Sequence, residues 1–343
     1  MTSTMKAAVY HPGNNELVLE DVPVPTPGPK EVLVKIAASG VCHSDTFLLS
    51  AAIPDNRSYI LGHENVGYAV QIGCEVEGIV KGGLYAIHDL VPCVAMNNLP
   101  PALNSIGIGR DGGYAEYIVV NAEELVPVPD GLAPEVAAVA SDALLTAYNA
   151  VHNVAQLGPG TTKRVLIYGV GGLGHLAVQL AKYFGATVYA CDYKPAARDL
   201  AVSLGAERAL DTLELTNETA AGTFTVDVVI DFVSNEQSFT LGKAAVKGDA
   251  FDATAPTGLI VLVGFTADQL PLSSLDLILY RTNVLSVLYG TIDDMKTCLD
   301  LLAKGIVKPV VTTEPLANVN KVLDELKASE VTGRKVIIPS LAN

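Results

Sequence analysis

The stretch of sequence that decides the fold is Val165-Leu166-Ile167-Tyr168-Gly169-Val170-Gly171-Gly172-Leu173-Gly174. Its first four residues have the apolar character of a buried strand, and its glycines follow the pattern G-x-G-x-x-G. Apolar residues then recur with helical spacing at positions 176, 177, 180, 181 and 184, Gly185 ends the helix, and a second β-rich run spans residues 187–191. This order predicts a βαβ unit with a glycine turn before its helix.

The glycine turn predicts a dinucleotide site. Glycine lets the backbone approach a pyrophosphate closely, and a helix N-terminus offers free N–H donors and a positive dipole end. The second strand ends in Asp192, whose carboxylate would accept hydrogen bonds from ribose hydroxyls and repel a 2′-phosphate. That favours NAD over NADP, although Lys194 and Arg198 nearby weaken the preference. The candidate cofactor residues here are Gly169, Gly171, Gly172, Leu173, Gly174 and Asp192.

The two parts of the chain differ in texture. Apolar runs at residues 226–230, 259–263 and 284–288 predict further buried strands, with helical segments between several of them. A parallel, doubly wound sheet is the natural arrangement. The first third has short β-branched runs separated by Pro, Gly and Asn, which predicts an irregular β domain. Alanine-rich helix begins near residue 130, so we expect a domain boundary at about residues 140–150.

Composition narrows the class of protein. With 343 residues, half of them hydrophobic, the chain is expected to form two domains. The net charge of −15 would repel nucleic acid and anionic lipid, so neither is an expected partner. The first residues lack the features of a signal peptide. Five scattered cysteines favour a reducing compartment, and we expect the cytoplasm.

Two motifs in the first third carry metal-ligating side chains: Gly40-Val41-Cys42-His43-Ser44-Asp45 and Gly62-His63-Glu64. Thiolate, imidazole and carboxylate are the ligand types that zinc prefers. A lone Cys or His in such a motif is more often a residue of the packed core. Their position before a nucleotide-binding unit gives them weight.

In this order the motifs resemble those of the zinc-dependent alcohol dehydrogenases, in the medium-chain dehydrogenase/reductase superfamily. The resemblance covers essentially the whole chain, and its further motifs are Lys6-Ala7-Ala8-Val9, Glu64-Asn65-Val66-Gly67, Gly112-Gly113-Tyr114-Ala115-Glu116-Tyr117 and Gly333-Arg334-Lys335-Val336. It implies a GroES-like irregular β domain at residues 1–144 and 289–343, which is the catalytic domain. It also implies an NAD-binding Rossmann domain at residues 145–288.

The resemblance also implies a ligand set for one catalytic zinc. Asp142 has the family's spacing to Thr146 and Tyr148 and would join Cys42 and His63 as the third ligand. Relatives usually have cysteine at this position, and the alternative for Asp142 is a helix N-cap. Glu64 resembles the exchanging fourth ligand, and an aspartate at position 45 would hold the His63 ring.

The implied reaction is hydride transfer between NAD(H) and an alcohol or carbonyl substrate, an aldehyde or ketone, with zinc polarising the substrate oxygen. Ser44 resembles the hydroxyl that passes the alcohol proton onward. His43 and Arg334 match positions that face the cofactor pyrophosphate. Thr146, Val263, Val287 and Tyr289 match positions around the nicotinamide.

The chain departs from the family in one respect. Many relatives hold a structural zinc with four closely spaced cysteines, but only Cys93 lies between Asp89 and Arg110. We therefore expect no structural zinc. Two other functions remain open: a zinc-free enone or quinone reductase, and a non-catalytic cofactor-binding relative. The strand at residues 284–288 could extend a sheet between subunits, so we expect a homodimer or homotetramer.

Overall fold

The computed structural model describes residues 3–50, 57–89, 105–246, 257–279 and 281–341. The chain forms two compact units. The first comprises Met1–Leu145, Thr291–Gly305 and Pro309–Asn343, and the second comprises Thr146–Gly290 and Ile306–Lys308. No helix in these described ranges is long and apolar enough to cross a membrane.

The strands, numbered in chain order, are β1 Thr4–Tyr10, β2 Val18–Pro23, β3 Glu31–Val41, β4 Tyr59–Ile60, β5 Glu64–Ile72, β6 Leu84–Ile87, β7 Ser105–Ile106, β8 Gly109–Arg110, β9 Tyr117–Asn121, β10 Leu125–Pro127, β11 Arg164–Tyr168, β12 Thr187–Cys191, β13 Arg208–Leu210, β14 Val228–Asp231, β15 Leu259–Leu262, β16 Asn283–Ser286, β17 Val311–Pro315 and β18 Arg334–Ile338.

The α-helices are α1 His43–Leu49, α2 Pro134–Ala137, α3 Ala143–Tyr148, α4 Gly174–Tyr183, α5 Pro195–Ser203, α6 Thr212–Ala220, α7 Glu236–Ala245, α8 Ser274–Leu279, α9 Ile292–Ala303 and α10 Val319–Lys327. Short 3-10 turns lie at Ala122–Glu124, Ala138–Ser141 and Leu316–Asn318, and a π-helical turn at Asn149–Val154.

The first unit is organised around a seven-stranded sheet with the order β10-β6-β5-β3-β18-β17, in which β9 also pairs with β3. Strand β3 is antiparallel to β5 and to β18. Alternate residues of β3, Val32, Val34 and Ile36, face a core that they share with Ile118 and Val120 of β9. The short, mostly antiparallel strands confirm the predicted irregular, GroES-like β domain.

The second unit contains a six-stranded sheet with the order β13-β12-β11-β14-β15-β16, in which every pair is parallel. Numbered within this unit, the strands have the order 3-2-1-4-5-6 of a doubly wound Rossmann sheet. The first three strands are added towards one edge and the next three towards the other, so the strand order reverses between β11 and β14. The predicted second strand at residues 187–191 coincides with β12. The doubly wound parallel sheet is therefore confirmed.

One predicted strand is present, but its burial and its C-terminal end were predicted wrongly. Residues 284–288 were expected to form a buried strand, but β16 ends at Ser286 and most of its side chains are exposed. Leu285 is 48% exposed, and Leu288, beyond the strand, is 70% exposed. Among the described strands, β16 pairs with β15 alone and forms the edge of the sheet. An apolar run indicates a strand but does not reveal whether a neighbour covers it.

Candidate active site: a metal-ligand cluster and a glycine turn

Strand pairing brings the Cys42 and His63 motifs together. Cys42 immediately follows β3, and His63 immediately precedes β5. Because these strands are antiparallel, with Gly40 opposite Glu64, the end of one lies beside the start of the other. Strand β18 begins at Arg334 and pairs with β3 on its other side. Three neighbouring strand ends therefore supply side chains to one place.

Asp142 reaches the same place from a break between two helical segments. It follows the 3-10 turn Ala138–Ser141 and directly precedes α3, with φ −149° and ψ −61°. Asp142 therefore lies at an N-cap position, which was the alternative role considered for it. Its carboxylate nevertheless approaches the other two motifs: Oδ2 lies 3.7 Å from Cys42 Sγ and 3.6 Å from His63 Nε2.

The four predicted ligands form one cluster. One ligand atom from each of Cys42, His63, Glu64 and Asp142 lies within 4.8 Å of the others. Sulfur, nitrogen and carboxylate oxygen donors at such separations suit a tetrahedral zinc ion. The family resemblance implied these four residues as a ligand set, and the structure brings them together.

His63 is oriented by Asp45. The ring Nδ1 lies 3.2 Å from Asp45 Oδ1, and both side chains are almost completely buried. Burial alone would lower the pKa of His63, but the Asp45 charge and hydrogen bonds with Asp142, Asp45 and Cys42 raise it well above its ordinary value. With Nδ1 directed at Asp45, Nε2 is the ring atom that faces the cluster. Ser44 Oγ lies 3.4 Å from this Nε2.

Glu64 has two differently placed oxygens. Oε1 contacts the Arg334 guanidinium at hydrogen-bonding distance. Oε2 has no hydrogen-bond partner among the described residues, and a Cβ on Gly40 would lie only 2.0 Å from it. Burial raises the pKa of Glu64 to about 7, although Arg334 opposes the shift. The unpaired buried Oε2 fits a role as a metal ligand.

Sequence reasoning missed what Arg334 and Tyr114 contact. Arg334, predicted to face the pyrophosphate, is 3% exposed and its side chain contacts Glu64. Its cofactor role stays a prediction. The Tyr114 hydroxyl lies 2.6 Å from Asp45 Oδ2. This tyrosine belongs to one of the family motifs, but the motif predicts no role for it. Cys93, on which the expected absence of a structural zinc depended, lies outside the described residues.

The glycine turn has the geometry that its motif requires. Gly169 adopts a φ of +85°, and its N–H donates to the Cys191 carbonyl. A Cβ on Gly174, where α4 begins, would lie 1.9 Å from the Gly169 carbonyl oxygen. A Cβ on Gly171 would meet nothing within 4 Å. Gly174 therefore permits the turn to close against the helix, whereas Gly171 leaves open space above the backbone.

Asp192 is fixed at the end of β12. Its carboxylate accepts hydrogen bonds from the Val170 N–H at 2.8 Å and from the Lys194 N–H at 2.9 Å. Arg198 donates to the main-chain carbonyls of Asp192 and Tyr193. The predicted ribose acceptor is thereby tied to the glycine turn itself.

The remaining predicted cofactor residues have mainly backbone roles in the structure. The N–H groups of Val263 and Val287 donate to the carbonyls of Asp231 and Leu262. Tyr289 has a φ of +56°, unusual for a non-glycine residue, and its carbonyl accepts a 2.6 Å hydrogen bond from the side chain of Asn149. Thr146 is 8% exposed, while His43 is exposed. Their contacts with a cofactor stay predictions.

The chain matches two known domain families and relatives of nearly the same length. Residues 28–130 match the alcohol dehydrogenase GroES-like domain, and residues 172–304 match the zinc-binding dehydrogenase domain. An alcohol dehydrogenase from Geobacillus stearothermophilus is 32% identical over 348 residues, covering 97% of this chain and 98% of the relative.

Solved structures extend the likeness to the whole fold. An acetophenone reductase from Geotrichum candidum, in complex with NAD, is 34% identical with a TM-score of 0.85, and the match covers 98% of each chain. An alcohol dehydrogenase from Aeropyrum pernix is 32% identical with a TM-score of 0.84, covering 97% of this chain and 100% of that one. The chain therefore belongs to the zinc-dependent alcohol dehydrogenases of the medium-chain dehydrogenase/reductase superfamily, and it is an oxidoreductase of alcohols and carbonyl compounds.

Proposed function

We propose that this enzyme interconverts alcohols with aldehydes or ketones at one zinc ion held by Cys42, His63 and Asp142, with Glu64 as the exchanging fourth ligand and NAD(H) as the hydride carrier. The observation that carries the proposal is the approach of four ligand atoms to within 4.8 Å of one another. Zinc in this position would supply Lewis-acid chemistry, which stabilises negative charge on the substrate oxygen.

Metal analysis tests the proposal directly. We expect about one zinc per chain in the purified enzyme, because the described residues contain one such ligand cluster. Two zinc ions per chain would contradict the expected absence of a structural site. A metal-free but active enzyme would support the zinc-free enone or quinone reductase instead.

Ser44 is the proposed proton carrier. Its Oγ lies 3.4 Å from His63 Nε2, beside the ring atom that faces the cluster, and a hydroxyl can accept one proton while donating another. We expect Ser44→Ala to lower kcat by about 10²-fold or more at neutral pH, with unchanged zinc content. Ser50→Ala, at the other end of the same short helix, is the matched control and should leave kcat unchanged.

We propose that NAD(H) is preferred over NADP(H). Support comes from Asp192, a carboxylate fixed at the end of β12 by two main-chain N–H groups. The Arg198 guanidinium donates to the main-chain carbonyls of Asp192 and Tyr193. Steady-state kinetics with both cofactors test the preference, and a panel of primary, secondary and aromatic alcohols tests the substrate class. Acetophenone and its alcohol are the first probes, because a similar enzyme is an acetophenone reductase.

We propose that one compact unit holds the catalytic metal and that the other binds NAD(H). Residues 1–144 and 289–343 are the proposed catalytic domain, because the ligand cluster lies in the first unit. Residues 145–288 are the proposed NAD-binding domain, because the glycine turn and Asp192 lie in the second. Free cysteines at Cys42, Cys74, Cys191 and Cys298 support a reducing compartment, and we propose the cytoplasm, which cell fractionation would test.

A homodimer or homotetramer is also proposed. Support comes from the edge strand β16 and the apolar residues around it, since Leu285, Leu288, Leu275, Leu277 and Ile278 are all exposed in the single chain. Light scattering should give at least twice the mass of one chain, and Leu288→Asp should lower it. Val80→Asp, at an equally exposed apolar residue of the first unit, should not. A monomeric wild-type enzyme would contradict this proposal.

A further inference from the structure

Tyr114 is a completely buried tyrosine whose hydroxyl faces a charged group. Its side chain is 0% exposed, and its hydroxyl lies 2.6 Å from Asp45 Oδ2 and 3.2 Å from the Gly40 carbonyl oxygen. A hydroxyl has one hydrogen to donate, and the shorter contact to the carboxylate is the charge-assisted one. Burial and the Asp45 charge raise the pKa of Tyr114 well above its ordinary value. The hydroxyl therefore stays protonated and acts as a donor.

Asp45 connects this hydroxyl to two predicted zinc ligands. Its Oδ2 accepts a second hydrogen bond from the Cys42 N–H at 3.1 Å, and its Oδ1 lies 3.2 Å from His63 Nδ1. The carboxylate is 0% exposed, so donors from the protein must replace the water that it has lost. The Tyr114 hydroxyl supplies the shortest of these contacts. Removing it would leave the carboxylate held by one main-chain N–H and the His63 ring.

The backbone around Tyr114 holds its ring against the start of the His63 motif. The Tyr114 N–H donates to the Leu61 carbonyl, and the Gly113 N–H donates to the Gly62 carbonyl. Gly62 has a φ of +96°, and a Cβ there would lie 2.6 Å from the tyrosine ring. The aromatic ring thus packs directly on Gly62, the residue before His63, while its hydroxyl donates to Asp45. Ring and hydroxyl make separable contributions.

We propose that the Tyr114 hydroxyl is a positioning group for the metal centre, an inference that rests on the function proposed above. By donating to Asp45 Oδ2, it orients the carboxylate so that Oδ1 lies 3.2 Å from His63 Nδ1 as an ion pair and Nε2 is the ring atom directed at the metal. The same carboxylate fixes the Cys42 main chain. One buried hydroxyl thereby sets the geometry of two ligands without touching the metal, substrate or cofactor.

Tyr114→Phe tests the hydroxyl alone, because phenylalanine keeps the ring that packs on Gly62. We expect the zinc dissociation constant, measured by competition with a chromophoric chelator, to rise about tenfold. Tyr10→Phe is the matched control: Tyr10 is buried in the same core cluster but is not a partner of Asp45. Its zinc dissociation constant should equal that of the wild type. Melting temperatures of the zinc-free forms show whether each variant is folded.

A double-mutant cycle separates positioning from a general loss of stability. Asp45→Asn should itself weaken zinc binding, and Tyr114→Phe should add little in that background because the hydroxyl acts through the carboxylate. An unchanged zinc affinity in Tyr114→Phe, or losses that add in the double variant, would overturn the proposal. If Cys42→Ala still bound zinc with wild-type affinity, the proposed function would fail and this inference with it. If Tyr114→Phe does not fold, Asp45→Asn decides alone, and wild-type zinc affinity in it overturns the proposal.

Discussion

The metal-ligand cluster and the glycine turn are built in opposite ways. The cluster collects side chains from separate segments: Cys42 after β3, His63 before β5, and Asp142 between two helical segments. The glycine turn is one continuous stretch. Its geometry depends on main-chain groups and on glycines, which have no side chain to obstruct the turn. A site formed by main-chain groups can be predicted from a short continuous motif. A site made of dispersed side chains depends on which strands pair.

The two regions also differ in what should disturb them. The cluster buries ionisable groups whose pKa values are shifted by burial and by one another. The stretch 169–174 contains only glycine, valine and leucine. Changes of pH should therefore act on the cluster, and changes of side-chain volume on the turn.

The largest expected effect comes from removing a predicted metal ligand. Cys42→Ala should lower kcat/KM by roughly 10³-fold or more, equivalent to about 4 kcal/mol of transition-state stabilisation. The NAD dissociation constant, measured by fluorescence titration, should stay within about twofold of wild type, because no residue of the glycine turn changes. Cys74→Ala, at an exposed cysteine, is the control. Retained turnover in Cys42→Ala would refute the zinc mechanism.

A change of charge beside the turn should alter cofactor choice. Asp192→Asn keeps the size of the side chain but removes the charge that would bind ribose hydroxyls and repel a 2′-phosphate. We expect the ratio of kcat/KM for NAD to that for NADP to fall by about 10- to 100-fold. Asp199→Asn, an exposed aspartate on the following helix α5, should not change the ratio. An unaltered preference in Asp192→Asn would remove Asp192 from the cofactor site.

Two alanine variants within the turn separate fold from binding. Gly174→Ala places a methyl 1.9 Å from the Gly169 carbonyl oxygen, so we expect a loss of about 1–3 kcal/mol in unfolding free energy. Gly171→Ala meets open space and should keep the wild-type melting temperature. Its methyl would nevertheless occupy the approach of the pyrophosphate, so KM for NAD should rise about tenfold. Equal effects of the two variants on stability and KM would contradict this division.

The smallest expected effect concerns pH and the cluster alone. Because the pKa of His63 is raised in the zinc-free protein, zinc must displace a proton from the ring at pH values below that pKa. The zinc association constant should therefore increase with pH by at most about tenfold per unit, and level off above the pKa. Isothermal titration in buffers of different ionisation enthalpy measures the proton released. NAD affinity should show no matching dependence on His63.

The fold was largely predictable, because strands, glycines and helical spacing are local signals. The prediction for β12 coincides with residues 187–191, and the glycine turn precedes α4 as its motif requires. Burial of the last strand was predicted wrongly, because residues 284–288 have the same apolar character as a central strand. The order of strands places β16 at the edge of the sheet, which is where a strand that pairs between subunits would have to lie.

Residues of the candidate site could be predicted where they belong to a motif. Roles that depend on contacts between distant parts of the chain could not be predicted. Local motifs identified Cys42 and His63, and the family resemblance identified Asp142, although the distances between the three side chains could not be known. Tyr114 lies 69 residues from Asp45 in the sequence, and no local pattern links a tyrosine to a distant carboxylate. The contact between Arg334 and Glu64 was hidden for the same reason.

The position of β18 between β3 and β17 determines when the first sheet can be completed during synthesis. Arg334, at the start of that strand, is 270 residues from its partner Glu64. At about 5–20 residues per second, a ribosome needs roughly 15–50 s to travel that distance. For that interval the nascent Glu64 carboxylate lacks its guanidinium, and β3 lacks the neighbour that pairs with its last residues. The contact between Glu64 and Arg334 and the pairing of β18 with β3 therefore form only after the whole nucleotide-binding sheet has been synthesised, although the four predicted ligands are present by residue 142.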